Sequence, residues 1–311
     1  MRGGGRRAAG TVLALAMSLL LANGVVLARM AHGQPAAAPG AARSGQDAVL
    51  TAPDRPAAVP STVATAAGSG FVADPDHSWA VLIGVQHYDA PTHPTIAALG
   101  DVAIFQHLLD QAGWQDSHIL VLTDKTATAA AIRWAMRWLA GHSGPSTFSV
   151  FHYSGHVLQT GGHEFLWGVD NTFVRNDEFG AAMHAVQGRA WVDVAGCESA
   201  GFDQGVDTPL RLFTSSSMTN QKSYEDPVLG ESVWTWLTVD AGMLYHANSP
   251  AGTPISIQQA VRASQPAAAS YTANQQPYGA QQPFTAGGNG DWYVGPGLAP
   301  AHVATGTLRA G

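Results

Sequence analysis

Short apolar runs and longer stretches of helical periodicity alternate along most of the chain. The apolar runs end in turns that contain glycine or polar residues, which is typical of buried strands. Residues His163–Asp170 are expected to form a short hairpin. Five other runs predict the main strands: Trp79–Val85, His118–Asp124, Ser146–His156, Arg189–Cys197 and Leu210–Ser217.

Amphipathic segments separate these strands and predict helices. Their bounds are Ile96–Gly113, Thr126–Gly141, Asn176–Val186, Gly230–Leu244 and Ser256–Ser264. In the second helix we expect Thr126 or Thr128 as the N-cap, with Ile132, Met136 and Leu139 facing the core. Strands that alternate with helices predict an α/β sandwich around a mainly parallel sheet. The pattern does not determine the order of the strands in space.

The chain opens with a basic segment that is followed by an apolar one. Arginines precede residues 11–28, and no acidic residue occurs before Asp47. This pattern predicts a signal peptide over residues 1–33 and therefore an exported protein. The alternative is an uncleaved membrane anchor, in which residues 11–28 would tether the protein to the bilayer.

Composition shifts mark the limits of the globular part. Residues 34–70 are rich in Ala, Pro, Gly, Ser and Thr, and such a segment buries too little apolar surface to offset its ordering entropy. We therefore expect a disordered spacer over residues 34–70, a folded domain over 71–295 and an unstructured tail over 296–311. Within the domain, the segment "GGNGDWYVG" near its end is expected to supply a tight turn and a last short strand.

Charge and cysteine content exclude several classes of function. The chain has a net charge of −7, with 12% charged and 46% hydrophobic residues. This balance supports a sizeable core and provides no basic face for nucleic acid. The single cysteine, Cys197, excludes an intramolecular disulfide and any zinc site built on several thiolates. The sequence gives no indication of the oligomeric state.

Two reactive side chains stand at the ends of two predicted strands. "VFHYSGH" delivers His156 and "WVDVAGC" delivers Cys197, and the ends of parallel strands meet at one edge of a sheet. An imidazole beside a thiol favours the thiolate and can return a proton to a leaving amine. The backbone N–H groups of Cys197 and Val157 could hold an oxyanion. The alternative is that Cys197 is a buried small hydrophobic residue and His156 is structural.

These motifs resemble those of the caspase-like cysteine peptidases, and in particular the metacaspase and bacterial orthocaspase branch. "FHYSGH" is similar to the histidine motif of that branch and "AGCESAG" to its cysteine motif, and the similarity extends from Trp79 to Met243. The resemblance implies a caspase–hemoglobinase-like three-layer sandwich with about six strands, and protein or peptide substrates. It implies His156 as general base and acid, Cys197 as nucleophile, and Asp101 and Ser154 in a pocket for a basic substrate residue.

Three residues depart from the pattern of that family. The aspartate expected two residues before the cysteine is Ala195, with Asp193 two residues further back; Val157 replaces a glycine, and Glu198 follows the cysteine. One carboxylate fewer should weaken or abolish a preference for Arg or Lys. The charge of Glu198 would raise the pKa of the thiol if it faced inward.

The sequence thus predicts a cysteine endopeptidase with a Cys197–His156 dyad that cleaves after Arg or Lys if Asp101 is sufficient. The main alternative is a weak or inactive domain that serves as a binding scaffold. A third is a cysteine hydrolase of another acyl substrate. Metacaspases are often stimulated by calcium, and Asp177 and Asp203 are near suitable positions. Uncharged residues stand beside these two aspartates, whereas calcium usually takes a larger cluster of oxygen ligands. We therefore assign no metal and keep calcium as a minor alternative.

Overall fold

The computed structural model describes residues 48–49, 70–245 and 254–300. The predicted leader over residues 1–33, with its tether at 11–28, lies outside this part of the chain. So does most of the predicted spacer. Two spacer residues, Ala48 and Val49, form a strand that pairs in parallel with Tyr224 and Glu225, a departure from the expectation of disorder over 34–70.

The described residues form fourteen strand segments, five of which correspond to the strands predicted from apolar runs. They are β1 (Ala48–Val49), β2 (Phe71–Val72), β3 (Ser78–Gly84), β4 (Ile119–Thr123), β5 (Phe148–Ser154), β6 (Val157–Thr160), β7 (His163–Trp167), β8 (Phe173–Arg175), β9 (Arg189–Ala195), β10 (Arg211–Ser215), β11 (Tyr224–Asp226), β12 (Glu231–Ser232), β13 (Phe284–Gly287) and β14 (Trp292–Tyr293). The α-helices are α1 (Ala98–Gln111), α2 (Ala129–His142), α3 (Asn176–His184), α4 (Val233–Thr235) and α5 (Ile257–Tyr271).

The central sheet has six strands in the order β13-β10-β9-β5-β3-β4. The five predicted strands are all parallel, which confirms the expectation of a mainly parallel sheet. The sixth strand, β13, pairs antiparallel with β10 and was missed by the sequence analysis. It is only four residues long and ends in glycine, so its apolar signal is weak.

Two hydrophobic cores cover the two faces of this sheet and make a three-layer sandwich. On one face, Ile132 of α2 and Met183 of α3 pack with Phe151 and Val192. On the other face, Phe105 of α1 packs with neighbours that include Trp191, Trp234 and Ile257. Because successive strand residues point to opposite faces, one strand supplies both cores. The predicted α/β sandwich is confirmed.

The ends of the helices follow the predicted signals. The Thr128 hydroxyl accepts the Ala131 N–H at 3.1 Å, so Thr128 and not Thr126 is the N-cap of α2. The helix α1 ends two residues before Gly113, which has a φ of +87°. The predicted helix over 230–244 is instead the short α4 followed by a π-helix, Trp236–Leu244.

Three smaller features differ in detail from the sequence expectations. The predicted hairpin is part of a three-stranded antiparallel sheet, β6-β7-β8. The last short strand, β14, pairs in parallel with β2, which comes first in the predicted domain in chain order. The predicted tail begins with a 3-10 turn, Pro296–Leu298. Within the described ranges, no helix combines the length and the apolar character needed to cross a bilayer.

Candidate active site

The strand register brings together the ends of the two strands that precede the predicted catalytic residues. Ser154 of β5 lies opposite Ala195 of β9, and the Gly155 N–H donates to the Ala195 carbonyl at 3.2 Å. A Cβ placed on Gly196 would lie 2.7 Å from the carbonyl oxygen of Gly155. The residues that directly precede His156 and Cys197 are therefore in backbone contact, at the carboxyl edge of the sheet where sites of parallel folds occur.

A set of aromatic and backbone contacts fixes His156. Its backbone N–H donates to the Tyr88 hydroxyl at 2.7 Å, and the Tyr153 hydroxyl lies 2.7 Å from its carbonyl oxygen. The ring of Tyr88 lies 4.8 Å from the imidazole, and that of Trp167 lies 5.8 Å from it. Only 2% of His156 is exposed. The sequence analysis missed these three aromatic residues; Tyr88 and Tyr153 could have been suspected from their place at or just beyond strand ends.

The hydrogen bonding of the imidazole determines its tautomer. The Nε2 atom of His156 lies 2.8 Å from the backbone carbonyl oxygen of His93. A carbonyl oxygen can only accept a hydrogen bond, so Nε2 carries the hydrogen. The neutral ring therefore has its lone pair on Nδ1, which is the nitrogen that can act as a base.

Serine side chains and backbone bonds shape the turn that carries Cys197. The hydroxyls of Ser216 and Ser217, just beyond β10, both donate to the Gly196 carbonyl at 2.9 Å. The following residue, Glu198, is left-handed with a φ of 53°, and its N–H donates to the Gln221 carbonyl. Cys197 is 1% exposed and buried among these groups at the strand end. Its sulfur position is thus set by the turn rather than by a helix or strand.

The predicted oxyanion donor Val157 is the first residue of β6. The Trp167 N–H donates to the His156 carbonyl, so the ladder bonds flank the Val157–Leu166 pair. In such a pair the N–H of Val157 points away from β7. Its side chain belongs to the core, close to the position that a Cβ on Gly196 would occupy. Val157 has the extended conformation of a strand and needs no positive φ.

The structure also brings together the two predicted pocket residues. The Ser154 hydroxyl donates to Asp101 at 2.7 Å, and the Ser232 N–H donates to the other Asp101 oxygen at 2.8 Å. Asp101 is completely buried, and burial raises the pKa of its carboxyl above the usual value. Ser154 is 3% exposed. The two residues form one buried polar group.

Asp193 does not take the place of the missing carboxylate at Ala195. It accepts hydrogen bonds from His152 Nδ1 at 2.8 Å, from the Thr214 hydroxyl at 2.5 Å and from Trp234 Nε1 at 2.9 Å. Both members of the His152–Asp193 pair are fully buried. The oxygens of Asp193 are therefore used for hydrogen bonds within the core, and Ala195 belongs to the same apolar cluster as Trp191.

Glu198 has an ionic partner. Its Oε1 atom lies 2.7 Å from Nζ of Lys222, and the side chains are 12% and 19% exposed. Burial raises the pKa of the Tyr224 phenol, and Cys197 contributes a smaller rise. The sequence analysis found neither Lys222 nor Tyr224. Both belong to the segment after β10, which only the fold brings to the cysteine.

The residues near the expected calcium position have hydrogen-bond or ionic partners within the protein. The Asn176 amide donates to Glu164 at 2.5 Å and to the Gly201 carbonyl at 3.1 Å, so an N–H group stands between these oxygens. Asp177 pairs with Arg175, whose hydrogen bond lowers the pKa of the Asp177 carboxyl. In the part of the chain that the structure describes, no group of three or more His, Cys, Asp or Glu residues could hold a metal.

Comparison with known proteins identifies the fold. Residues 77–209 match the family model of the peptidase C14 caspase domain. A crystal structure of protein GSU0716 from Geobacter sulfurreducens is similar, with a TM-score of 0.52 and 16% identity over 73% of this chain and 98% of that chain. At this identity the similarity concerns the fold alone. No curated protein matches the chain.

Proposed function

We propose, from the premise that residues 77–209 form a caspase domain, that this protein is a cysteine endopeptidase acting through Cys197 and His156. The thiolate of Cys197 attacks the carbonyl carbon of the scissile bond, and His156 donates a proton to the leaving amine. Water then attacks the thioester while His156 accepts its proton, the C–S bond breaks to release the carboxylic acid, and His156 returns the proton to the sulfur, which restores the thiol. Neither a metal nor a cofactor takes part in this proposal.

One observation supports this function above the others. The contact between Gly155 and Gly196 supports a common edge for His156 and Cys197, and the bond to the His93 carbonyl supports Nδ1 as the basic nitrogen of the imidazole. In this arrangement the His93 carbonyl orients the ring, as a third group must in a catalytic dyad. The N–H groups of Val157 and Cys197 are the proposed oxyanion donors.

The experiment uses a fluorescent peptidyl acyloxymethyl ketone, which labels an activated thiolate. Labelling of the native protein should occur at Cys197 and be lost in Cys197→Ala. In His156→Ala its rate should fall by a factor of about 100 or more, the usual contribution of a general base. His107→Ala, a change of the same kind at an exposed position of α1, is the matched control. Equal, slow labelling of wild type and His156→Ala would reject the dyad.

The substrate preference rests on Asp101. We propose that a basic residue before the cut reaches the Asp101–Ser154 group, and that Ala195 makes this preference weaker than two carboxylates would. Asp101→Asn keeps an oxygen for the Ser232 N–H and an amide for Ser154. In a fluorogenic peptide library it should lower kcat/KM for Arg and Lys at that position by about tenfold and leave other residues unaffected. A preference for Asp would contradict the assignment.

A specific observation favours a second candidate, a domain that binds proteins without cleaving them. Asp101 has no exposed surface, and the proposed pocket for a basic substrate residue lacks a second carboxylate because Ala195 stands at that position. In this case the probe would label Cys197 slowly and independently of His156. Export by the N-terminal segment remains part of the proposal in either case, and the mass of the mature N-terminus tests whether residues 1–33 are removed or residues 11–28 stay as an anchor.

A further inference from the structure

The residue that follows the nucleophile carries a negative charge. Glu198 and Cys197 have Cα atoms about 3.8 Å apart, so the carboxylate lies within about one Debye length of the sulfur. A carboxylate at such a distance stabilises the protonated thiol and opposes formation of the thiolate. A peptidase with this residue needs some means of cancelling the charge.

Lys222 is placed to cancel it. Its ammonium lies 2.7 Å from Glu198 Oε1, and both side chains are mostly removed from water. The adjacent residue, Gln221, accepts the Glu198 N–H at 2.8 Å. The backbone hydrogen bond and the ion pair therefore join the same two segments. Together they hold Glu198 in its left-handed conformation.

The other titratable groups around this turn do not supply a fixed positive charge. Among the described residues of the surrounding segments these groups are His156, Glu164, Asp203, Tyr224 and Glu225. The arginines of β9 and β10, Arg189 and Arg211, are the first residues of their strands, at the ends away from this turn. Two of these carboxyls have their own donors: Glu225 accepts the N–H groups of Ile96 and Ala97, and Glu164 accepts the side-chain amides of Gln159 and Asn176. Lys222 is the permanent cation of this set.

We propose that Lys222 is a positioning residue whose charge neutralises Glu198 and so keeps the Cys197 thiolate accessible near neutral pH. The inference rests on the proposed function, since it concerns the reactivity of the same sulfur. It assigns to the segment after β10 an electrostatic role in addition to its contacts with the cysteine turn. No residue of that segment was selected by the sequence analysis.

The test measures the rate of alkylation by iodoacetamide between pH 5 and 10. The thiolate displaces iodide to form a thioether, and Cys197 is the only cysteine in the chain, so the midpoint of the rate profile reports this thiol alone. Lys222→Met should raise the midpoint by about one pH unit and slow the reaction about tenfold below it. Lys125→Met, the same change at an exposed lysine beyond β4, should leave the midpoint unchanged.

Two further variants separate charge from structure. Glu198→Gln removes the carboxylate that pairs with Lys222 and should lower the midpoint, whereas Glu198→Gln with Lys222→Met should return it close to the wild-type value. A merely structural pair would move all three variants in the same direction, and that result would overturn the proposal. If Lys222→Met does not fold, the downward shift of Glu198→Gln decides.

The same measurement distinguishes failure of this inference from failure of the proposed function. Alkylation needs no peptide cleavage, so the midpoints can be read in an inactive protein. A His156→Ala profile identical to wild type would reject the dyad while the Lys222 variants still reported on the ion pair. Unchanged midpoints in the Lys222 and Glu198 variants, with a His156-dependent profile, would reject the ion pair alone.

Discussion

Replacement of Asp193 by asparagine tests whether this carboxyl holds the core together or belongs to the substrate pocket. Its two oxygens accept three hydrogen bonds, from His152, Thr214 and Trp234, and it is fully buried. The amide of an asparagine has one acceptor oxygen. Its NH₂ group would therefore face at least one N–H or O–H donor from which it cannot accept a bond.

The magnitude follows from this burial. Leaving a buried donor without the carboxylate that accepted from it costs about 3 kcal/mol or more, because the loss of a charged hydrogen-bond partner costs more than that of a neutral one. In a domain of this size each kcal/mol lowers Tm by about 2–4 °C. We therefore expect Asp193→Asn to unfold about 6–12 °C below wild type even at the lower end of that cost.

Differential scanning calorimetry at pH 7 provides the assay. Asp116→Asn, which removes the same charge from an exposed position, serves as the control and should stay within about 1 °C. An Asp193→Asn protein that melts with wild type but has lost selectivity for Arg and Lys would refute the reasoning. It would show that Asp193 takes the role that Ala195 cannot.

Two further predictions concern the turns around the site. Burial and the neighbouring Asp207 raise the pKa of Asp203 to about 6, so in the folded state its ionised form is disfavoured, and stability present at low pH is lost as the pH rises through that value. Asp203→Asn should therefore stabilise the protein at pH 8 by up to about 1 kcal/mol, after allowance for solvent screening, and should give no gain at pH 4. Thermal unfolding at both pH values checks this expectation. A larger gain at pH 4 than at pH 8 would contradict it. Gly196→Ala would place a Cβ 2.7 Å from the Gly155 carbonyl and 2.8 Å from Val157 Cγ2, so we expect at least a tenfold loss of probe labelling at Cys197 together with about 2 kcal/mol of stability. Gly141→Ala, where a Cβ meets no atom within 4 Å, should be neutral or stabilising; equal labelling in both alanine variants would show that the approach of the two strand ends is not required.

The sequence was sufficient for the main strands and most helices, and His156 and Cys197 each follow the end of one of these strands. Continuous apolar runs are strong signals because both faces of a central strand must be buried, and a reactive residue directly after such a run is placed at the edge of the sheet. The N-cap of α2 could be narrowed to Thr126 or Thr128, and Gly113 after α1 could be predicted, because capping is decided by a few neighbouring residues. Where the signal was short, as in β13, the prediction failed.

Tertiary structure alone decided how the site is built. Three contacts join segments more than 20 residues apart. They are the hydrogen bond of His156 Nε2 to the His93 carbonyl, the ion pair of Glu198 with Lys222 and the hydrogen bond between His152 and Asp193. No periodicity or local spacing encodes such contacts, because they depend on which loops the strand order brings to the same edge. Local patterns in this protein specify elements and the residues at their ends, whereas hydrogen bonds and charge pairs between distant segments specify the environment of those residues.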